Sequence, residues 1–136
     1  MLGTASDTPK YTETTEQIRI TVHPAVIEKT SDPAGNTFAF SYSVKIENLG
    51  ETTVQLLERH WIVMSADVQI AEIIGPGVVG EQPVLEAGQS FEYTSGAVIH
   101  DPIGAMHGSY TFRTQEGKFL SVKIPRFDLF YPILVH

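Results

Sequence analysis

One glycine-rich stretch has the spacing of a phosphate-binding motif. Residues 75–80 read GPGVVG, formally G-x-G-x-x-G, with glycines at Gly75, Gly77 and Gly80. In dinucleotide-binding folds such glycines bring backbone N–H groups and a helix N-terminus against a pyrophosphate. That mechanism needs a helix after the motif, and residues 81–83, Glu-Gln-Pro, begin no amphipathic helix. We therefore interpret the glycines as permitting positive φ and tight crossings at a sheet edge, with a weak phosphate nest as the alternative.

The second candidate is a metal site. His100, Asp101 and His107 fall in the stretch HDPIGAMH, and histidine with a carboxylate suits zinc or related ions. The seven-residue gap between the histidines is no standard ligand spacing, and the Pro and Gly within it predict a single solvated loop. The chain has no D-x-D or D-x-N-x-D-G loop for magnesium. We therefore assign no metal-ligating residue and expect no cofactor.

A third candidate is a group of charged side chains inside an apolar run. Arg59 and His60 directly precede Trp61, and they could anchor an anionic ligand or a partner together with Glu81 and Gln82. The structural interpretation, which we favour, makes Trp61 a core residue and pairs Arg59 with a neighbouring carboxylate. Nucleophilic catalysis has little support, because the chain has no G-x-S-x-G motif and no cysteine. We predict no catalytic residue.

Period-two alternation predicts the elements that position these residues. Residues 37–47 alternate without a miss between apolar and small or polar side chains, which is typical of a strand. Residues 18–22 alternate as well, and Pro24 then predicts a bulge or a bend. Further strands are predicted at 53–64, 69–74, 90–95, 108–114 and 118–125. The apolar residues 127–131 are expected to dock on a sheet face or to add a strand.

These elements predict an all-β fold in a single domain. Seven or eight short strands, punctuated by 11 Gly and 8 Pro, favour an antiparallel β-sandwich of the immunoglobulin or fibronectin type III-like kind. Residues 1–16 hold six Ser or Thr and little to bury, so they predict a flexible polar tail. A length of 136 residues suits one domain, assigned to residues 17–136.

Charge and hydropathy limit the classes of partner that this chain can have. Sixteen acidic and nine basic residues give a net charge of -7, which argues against nucleic acid and against an anionic membrane. The absence of cysteine excludes a disulfide framework. The longest apolar runs fall far short of the ~20 residues that a membrane helix needs. Residues 1–16 contain no apolar signal region, so we expect a cytoplasmic protein without direct membrane insertion.

Six blocks of sequence, taken in order, resemble the ApaG family. They read YSVKIENLG, VQLL running into RHWI, GPGVVGEQP, FEYTSG, GSY and IPRF, and they span nearly the whole chain after residue 16. The glycines at Gly75, Gly77 and Gly80 are the usual signature of the family and have prompted a pyrophosphate-binding suggestion. The resemblance fails at Asp67-Val68, where many members have Asp-Gly. Valine tolerates positive φ poorly, so the type of this turn stays open.

The resemblance implies a bacterial cytosolic domain with a fibronectin-like sandwich. The label of the family links it to cobalt and magnesium efflux. A similar module in some eukaryotic F-box proteins and in a polymerase-delta-interacting protein looks like a protein-binding unit. The family has no established catalytic residues to carry over.

We therefore predict a non-catalytic interaction domain, associated with Co²⁺/Mg²⁺ efflux or resistance and acting through a protein partner. The alternative is a small-ligand module that binds pyrophosphate or a nucleotide phosphate at residues 75–80. Direct binding of Mg²⁺ or Co²⁺ is motivated only by the family label and the acidic charge, and a homodimer formed through a sheet edge is a further form of partnership.

Overall fold

Two antiparallel sheets make up the computed structural model, which describes residues 9–132. The strands of this part of the chain are β1 (Tyr11–Thr15), β2 (Ile18–Val26), β3 (Phe38–Asn48), β4 (Val54–Ser65), β5 (Val68–Pro76), β6 (Val84–Leu85), β7 (Ser90–Ile99), β8 (Ile103–Thr114) and β9 (Phe119–Phe130). One sheet has the order β1-β2-β3-β7, and the other has the order β5-β4-β8-β9, with β6 paired to β4. The predicted antiparallel β-sandwich is confirmed, with nine strands in the described residues rather than seven or eight. The fibronectin type III-like subtype stays a prediction.

Alternating side chains of both sheets fill the space between them. In β3 the inward residues Phe40, Tyr42, Val44 and Ile46 are buried, as the period-two pattern predicts. Burying an aliphatic or aromatic side chain of this size contributes roughly 1.5–3 kcal/mol, so this layer provides the main stabilisation of the fold. Trp61, from the opposite sheet, is 2% exposed, which confirms it as a core residue.

The assignment of residues 1–16 to a flexible tail is wrong for the part that forms β1. Residues 11–15 pair with β2 in register from Tyr11 opposite Val22 to Thr15 opposite Ile18. The ring of Tyr11 packs on Phe127 of β9, with 6.2 Å between ring centroids. A polar strand is stable here because it needs one half-buried face and a partner edge, and β2 provides that edge. Residues 1–8 of the predicted tail lie outside the described residues.

One local prediction also needs correction, and one question that the sequence left open is resolved. Strand β2 runs through Pro24 without a bulge, and Pro24 lies opposite Tyr42. Pairing with β1 ends at Val22, so the proline, which has no N–H to donate, stands where that edge of β2 carries no ladder. In the β4–β5 hairpin Val68 already belongs to β5, and Ala66 takes the positive φ of 51°. The unfavourable valine conformation is thereby avoided.

None of the helical turns between residues 9 and 132 has the length and apolarity needed to cross a bilayer.

Candidate functional site

A β-bulge in β4 brings Arg59 to the inner side of the sandwich. The pairing of β4 with β8 shifts register between Leu56 and Glu58. Leu56 and Trp61 are therefore both buried, although they are five residues apart and strict alternation would place them on opposite faces. Arg59 precedes Trp61 by two residues and shares its face.

The guanidinium of Arg59 anchors the glycine loop, defined here as residues 75–83. Its Nη1 donates to the carbonyl oxygen of Pro76 at 2.9 Å and to that of Gly77 at 3.0 Å. Gly75 lies directly opposite Arg59, and a Cβ at Gly75 would stand 3.1 Å from Nη2. The prediction that Arg59 pairs with a carboxylate is wrong, because its partners are backbone carbonyls that the β4–β5 register brings into reach.

Three backbone N–H groups of the glycine loop donate to backbone carbonyls. Gly77 donates to Leu57 of β4 at 2.8 Å. Val78 donates to the carbonyl of Glu81 at 2.8 Å, and the N–H of Glu81 donates back to Val78 at 2.9 Å. A phosphate nest needs several N–H groups that are free to point at an anion, and these three bonds withdraw the N–H groups of Gly77, Val78 and Glu81 from that role.

The loop requires left-handed backbone at three positions. Gly77 has a φ of 63°, Val79 of 44° and Gly80 of 81°. Val79 and Gly80 are the two central residues of the tight turn that Val78 and Glu81 close. The predicted positive φ is thus found at Gly77 and Gly80, whereas Gly75 is needed for its contact with the guanidinium. The short strand β6 follows the loop where a nucleotide-binding motif would have a helix.

Gln82 ties the far end of the glycine loop to β4. Its Nε2 donates to the carbonyl of Leu57 at 2.9 Å, and its own carbonyl accepts a hydrogen bond from Nε2 of Gln55 at 3.0 Å. Glu81 is exposed as Gln82 is, but its carboxylate has no ion-pair partner among the described residues. Of these two candidate contacts, Gln82 positions the loop and Glu81 presents a charge to solvent.

Arg59 and His60 do not converge on one ligand, because consecutive residues of a strand point to opposite faces. Nε2 of His60 lies 2.7 Å from Oε2 of Glu72 in β5, in an exposed pair. Glu72 is not among the site residues predicted from the sequence. Pairing of β4 with β5 in a hairpin could have indicated it, since Glu72 lies opposite Ile62, on the same face as His60 and within its reach.

The histidines considered as metal ligands are separated in the structure. Oδ2 of Asp101 accepts a hydrogen bond from Oγ of Ser65 at 2.7 Å, and the N–H of His100 donates to the same Oγ at 3.0 Å. His107 lies in β8 opposite Ile62, so the predicted single loop is wrong for this residue. Between residues 9 and 132 no three His, Cys, Asp or Glu side chains are placed to hold a metal ion.

A buried cluster of tyrosines beside Arg59 escaped the sequence analysis. The hydroxyl groups of Tyr93 in β7 and Tyr110 in β8 hydrogen-bond to each other between the two sheets. Burial raises the pKa of both phenols, and the nearby Arg59 charge opposes the rise. The ring of Tyr42 lies 5.2 Å from Trp61 between centroids. Alternation identifies these positions as inward-facing, but it does not indicate that two hydroxyls from different sheets meet.

The fold and the site together define a two-sheet β-sandwich domain with a glycine loop anchored by an inward-facing arginine. A family model of the ApaG domain matches residues 28–114. The chain belongs to the ApaG domain family, as the sequence analysis predicted.

Relatives and a solved structure agree with this membership. The chain is 48% identical over 122 residues to Protein ApaG of Rhodospirillum centenum, covering 90% of this chain and 94% of that protein. It is 43% identical over 120 residues to Protein ApaG of Thiobacillus denitrificans, covering 88% and 94%. The crystal structure of a Bordetella pertussis protein described as ApaA superposes with a TM-score of 0.82 at 36% identity, covering 90% of this chain and 97% of that one.

Proposed function

We propose that this chain is a non-catalytic interaction domain that acts by binding a protein partner. The observation that supports the proposal is the exposure of β5, both along one edge and at its aliphatic side chains. Within the described residues this strand pairs with β4 alone, and four of its aliphatic side chains are exposed: Val68, Ile70, Ile73 and Ile74. Unpaired strand edges and clustered exposed aliphatic residues are common features of protein–protein contact surfaces.

The process that the domain serves is a further part of the proposal. The family resemblance implies an association with Co²⁺/Mg²⁺ efflux or resistance in the bacterial cytoplasm, and membership of the ApaG domain family supports carrying that association to this chain. The domain would act on efflux indirectly, by contacting a protein that itself handles the cation. Nucleic acid is not an expected partner, because the net charge is -7.

The experiment is affinity purification of the tagged chain from cells in which deletion of its gene changes sensitivity to cobalt. We expect one protein to be recovered reproducibly, and we expect deletion of that protein to change cobalt sensitivity in the same direction. Tagged Bordetella pertussis ApaA, whose structure is similar, provides a control bait. Recovery of no specific partner, in cells that do show the cobalt phenotype, would contradict the proposal.

A further inference from the structure

Strand β5 leaves both its edge and part of its inner face open. Ile73 lies directly opposite Trp61, and Ala71 lies opposite Val63, so these pairs share the face that looks toward the other sheet. Trp61 and Val63 are 2% and 4% exposed, whereas Ile73 is 41% exposed. The difference arises because β7 is the last strand of the opposite sheet, and β9 packs against β1 and β2 at the other side of the sandwich.

The edge of β5 lacks most of the devices that protect exposed strands. Natural edges are often blunted by lysine, by proline, by bulges or by a covering segment. Strand β5 contains no lysine and its Pro76 stands at the very end, but it carries one bulge, at Ile70, between the residues paired with Met64 and Val63. Seven of its nine residues are exposed, the others being Ala71 and Gly75. The ladder of N–H and C=O groups on this side is therefore accessible to another strand.

The charged side chains that β5, β6 and β7 themselves contribute are acidic, and one of them, Glu72, lies 2.7 Å from His60 of β4. Residues 66–99, which contain β5, β6 and β7, carry five acidic side chains and no lysine or arginine; the acids are Asp67, Glu72, Glu81, Glu86 and Glu92. The arginine nearest to the strand, Arg59, is engaged with the carbonyls of Pro76 and Gly77. An approaching chain consequently meets aliphatic side chains within a negative field, and such a field favours a basic partner.

We propose that the free edge of β5 accepts an extended, basic segment of the partner protein as an added strand. This inference rests on the proposed function and specifies its surface. Because side chains of a strand alternate, one face of the added segment would place aliphatic residues beside Ile73 and Ala71 and close the gap next to β7. Its other face would place Lys or Arg near Glu72.

The charge distribution also decides between a foreign segment and a second copy of the chain. If β5 paired with β5 of another copy, the two acidic regions would face each other, and Glu72 of each copy would lie in the negative field of the other. Like charges brought together in this way disfavour association. A segment that carries Lys or Arg between aliphatic residues gains from the same field, so it is the occupant that the surface fits.

The test begins with a random library of 12-residue peptides displayed on phage and selected on the wild-type chain. We expect the enriched peptides to alternate aliphatic residues with Lys or Arg. A synthetic copy of the most enriched peptide should slow hydrogen exchange of the β5 amides in the wild-type chain, a measurement that needs no variant. Its affinity should fall about tenfold, equivalent to about 1.4 kcal/mol, in Ile73→Lys and in Glu72→Lys.

Phe119→Lys is the matched control, since Phe119 is 65% exposed on β9, at the other edge of the same sheet. We expect it to leave the affinity within twofold. The inference is overturned if no peptide is enriched, if the enriched peptides are acidic, if Phe119→Lys weakens binding equally, or if protection appears on another strand. Concentration-dependent dimerisation that Ile73→Lys abolishes would overturn it in favour of a second copy.

Repeating the affinity purification with Ile73→Lys separates this inference from the proposed function. Loss of the partner in Ile73→Lys, with retention in Phe119→Lys, supports both. A partner retained equally by both variants leaves the proposed function standing and overturns the role of β5. Failure of the wild-type chain to recover any partner contradicts the proposed function itself.

Discussion

The guanidinium of Arg59 lies against the backbone of Gly75, at the place where any other residue would carry its Cβ. An added Cβ would stand 3.1 to 3.2 Å from three atoms of the guanidinium, Nη2, Cζ and Nη1. The same guanidinium holds the carbonyls of Pro76 and Gly77. The first glycine of the loop and the arginine of β4 thus form one unit, in which the absence of a side chain makes room for a cation.

The contact predicts that substitutions at the two positions are not additive. Gly75→Ala should destabilise the wild-type chain, because the guanidinium must move and weaken its bonds to the loop. Arg59→Ala removes those bonds and leaves the exposed carbonyl of Pro76 and the partly buried carbonyl of Gly77 without this donor, a loss of about 1–3 kcal/mol. In the Arg59→Ala background, Gly75→Ala should cost less, because the group it displaces is gone. Urea unfolding of the four proteins measures the coupling.

Gly80→Ala is the control for this cycle. An added Cβ at Gly80 would meet no atom within 4 Å, but its φ of 81° penalises any side chain. We expect the same destabilisation in both Arg59 backgrounds. If Gly75→Ala also cost the same in both, the proposed steric coupling between Gly75 and Arg59 would be wrong.

Val79 predicts a stabilising substitution. It is a β-branched residue with a φ of 44°, and it is 54% exposed, so strain is not offset by deep burial. Left-handed backbone at such a residue costs on the order of 1–3 kcal/mol. Val79→Gly or Val79→Asn should therefore raise the free energy of unfolding by about 1 kcal/mol. Thermal unfolding measures the change, and Val84→Gly, at a similarly exposed position in β6, should destabilise instead.

The Tyr93–Tyr110 hydroxyl pair predicts that the stability losses of the two single substitutions do not add up in the double variant. Tyr93→Phe leaves the hydroxyl of Tyr110, a fully buried residue, without its partner, and Tyr110→Phe does the converse. Each single variant should lose about 1–3 kcal/mol, the cost of an unsatisfied buried polar group. The double variant should lose clearly less than the sum, because no hydroxyl is then left unpaired. Additive losses in denaturant unfolding would contradict a direct bond between the hydroxyls.

The pair of Arg19 and Glu47 predicts a dependence of stability on pH. Nε and Nη2 of Arg19 donate to the two carboxylate oxygens of Glu47 at 2.9 and 3.0 Å. This bonding lowers the pKa of Glu47 below its ordinary value. The folded state then binds its proton less readily than the unfolded state. The stabilisation is present above the unfolded pKa and is lost as pH falls through the lowered folded pKa.

Arg19→Met should therefore destabilise the chain at pH 7, and the difference from wild type should shrink on acidification toward pH 3. Chemical unfolding at a series of pH values measures this difference. Arg126→Met removes an exposed cation of β9 for which the described residues show no ion pair, and its effect should stay nearly constant. If the loss of stability in Arg19→Met were unchanged at low pH, the assignment of this pH dependence to the Arg19–Glu47 pair would be wrong.

The glycine loop is expected to be structural and not to bind phosphate. The N–H groups of Gly77, Val78 and Glu81 already donate to carbonyls, and the exposed Glu81 carboxylate would repel an anion. Titration with pyrophosphate or ATP up to about millimolar concentration should give no saturable shift of the loop amides. Saturable shifts centred on these residues would instead support the small-ligand alternative, and shifts spread over the whole chain would indicate an effect of ionic strength.

Much of the candidate site was accessible from sequence, but its connections were not. The need for glycine at Gly77 and Gly80 follows from turn chemistry, which acts over a few neighbouring residues. The carbonyl partners of Arg59 are Pro76, the last residue of β5, and Gly77, which follows it. The bulge that turns Arg59 inward is visible only in the pairing with β8. The sequence also disguised β1, because its threonine-rich alternation has too little apolar content to be distinguished from a polar tail.

Period-two alternation in the sequence by itself determined an all-β chain and the buried face of β3, because which side a strand residue faces is decided by its immediate neighbours. The core position of Trp61 followed from its residue type. Only the tertiary structure decided which strands lie at the edges, and therefore that β5 keeps exposed isoleucines beside an acidic surface. Strand order depends on pairings between residues far apart in the chain. Those pairings are selected by packing the two sheets together, a property that no short segment carries.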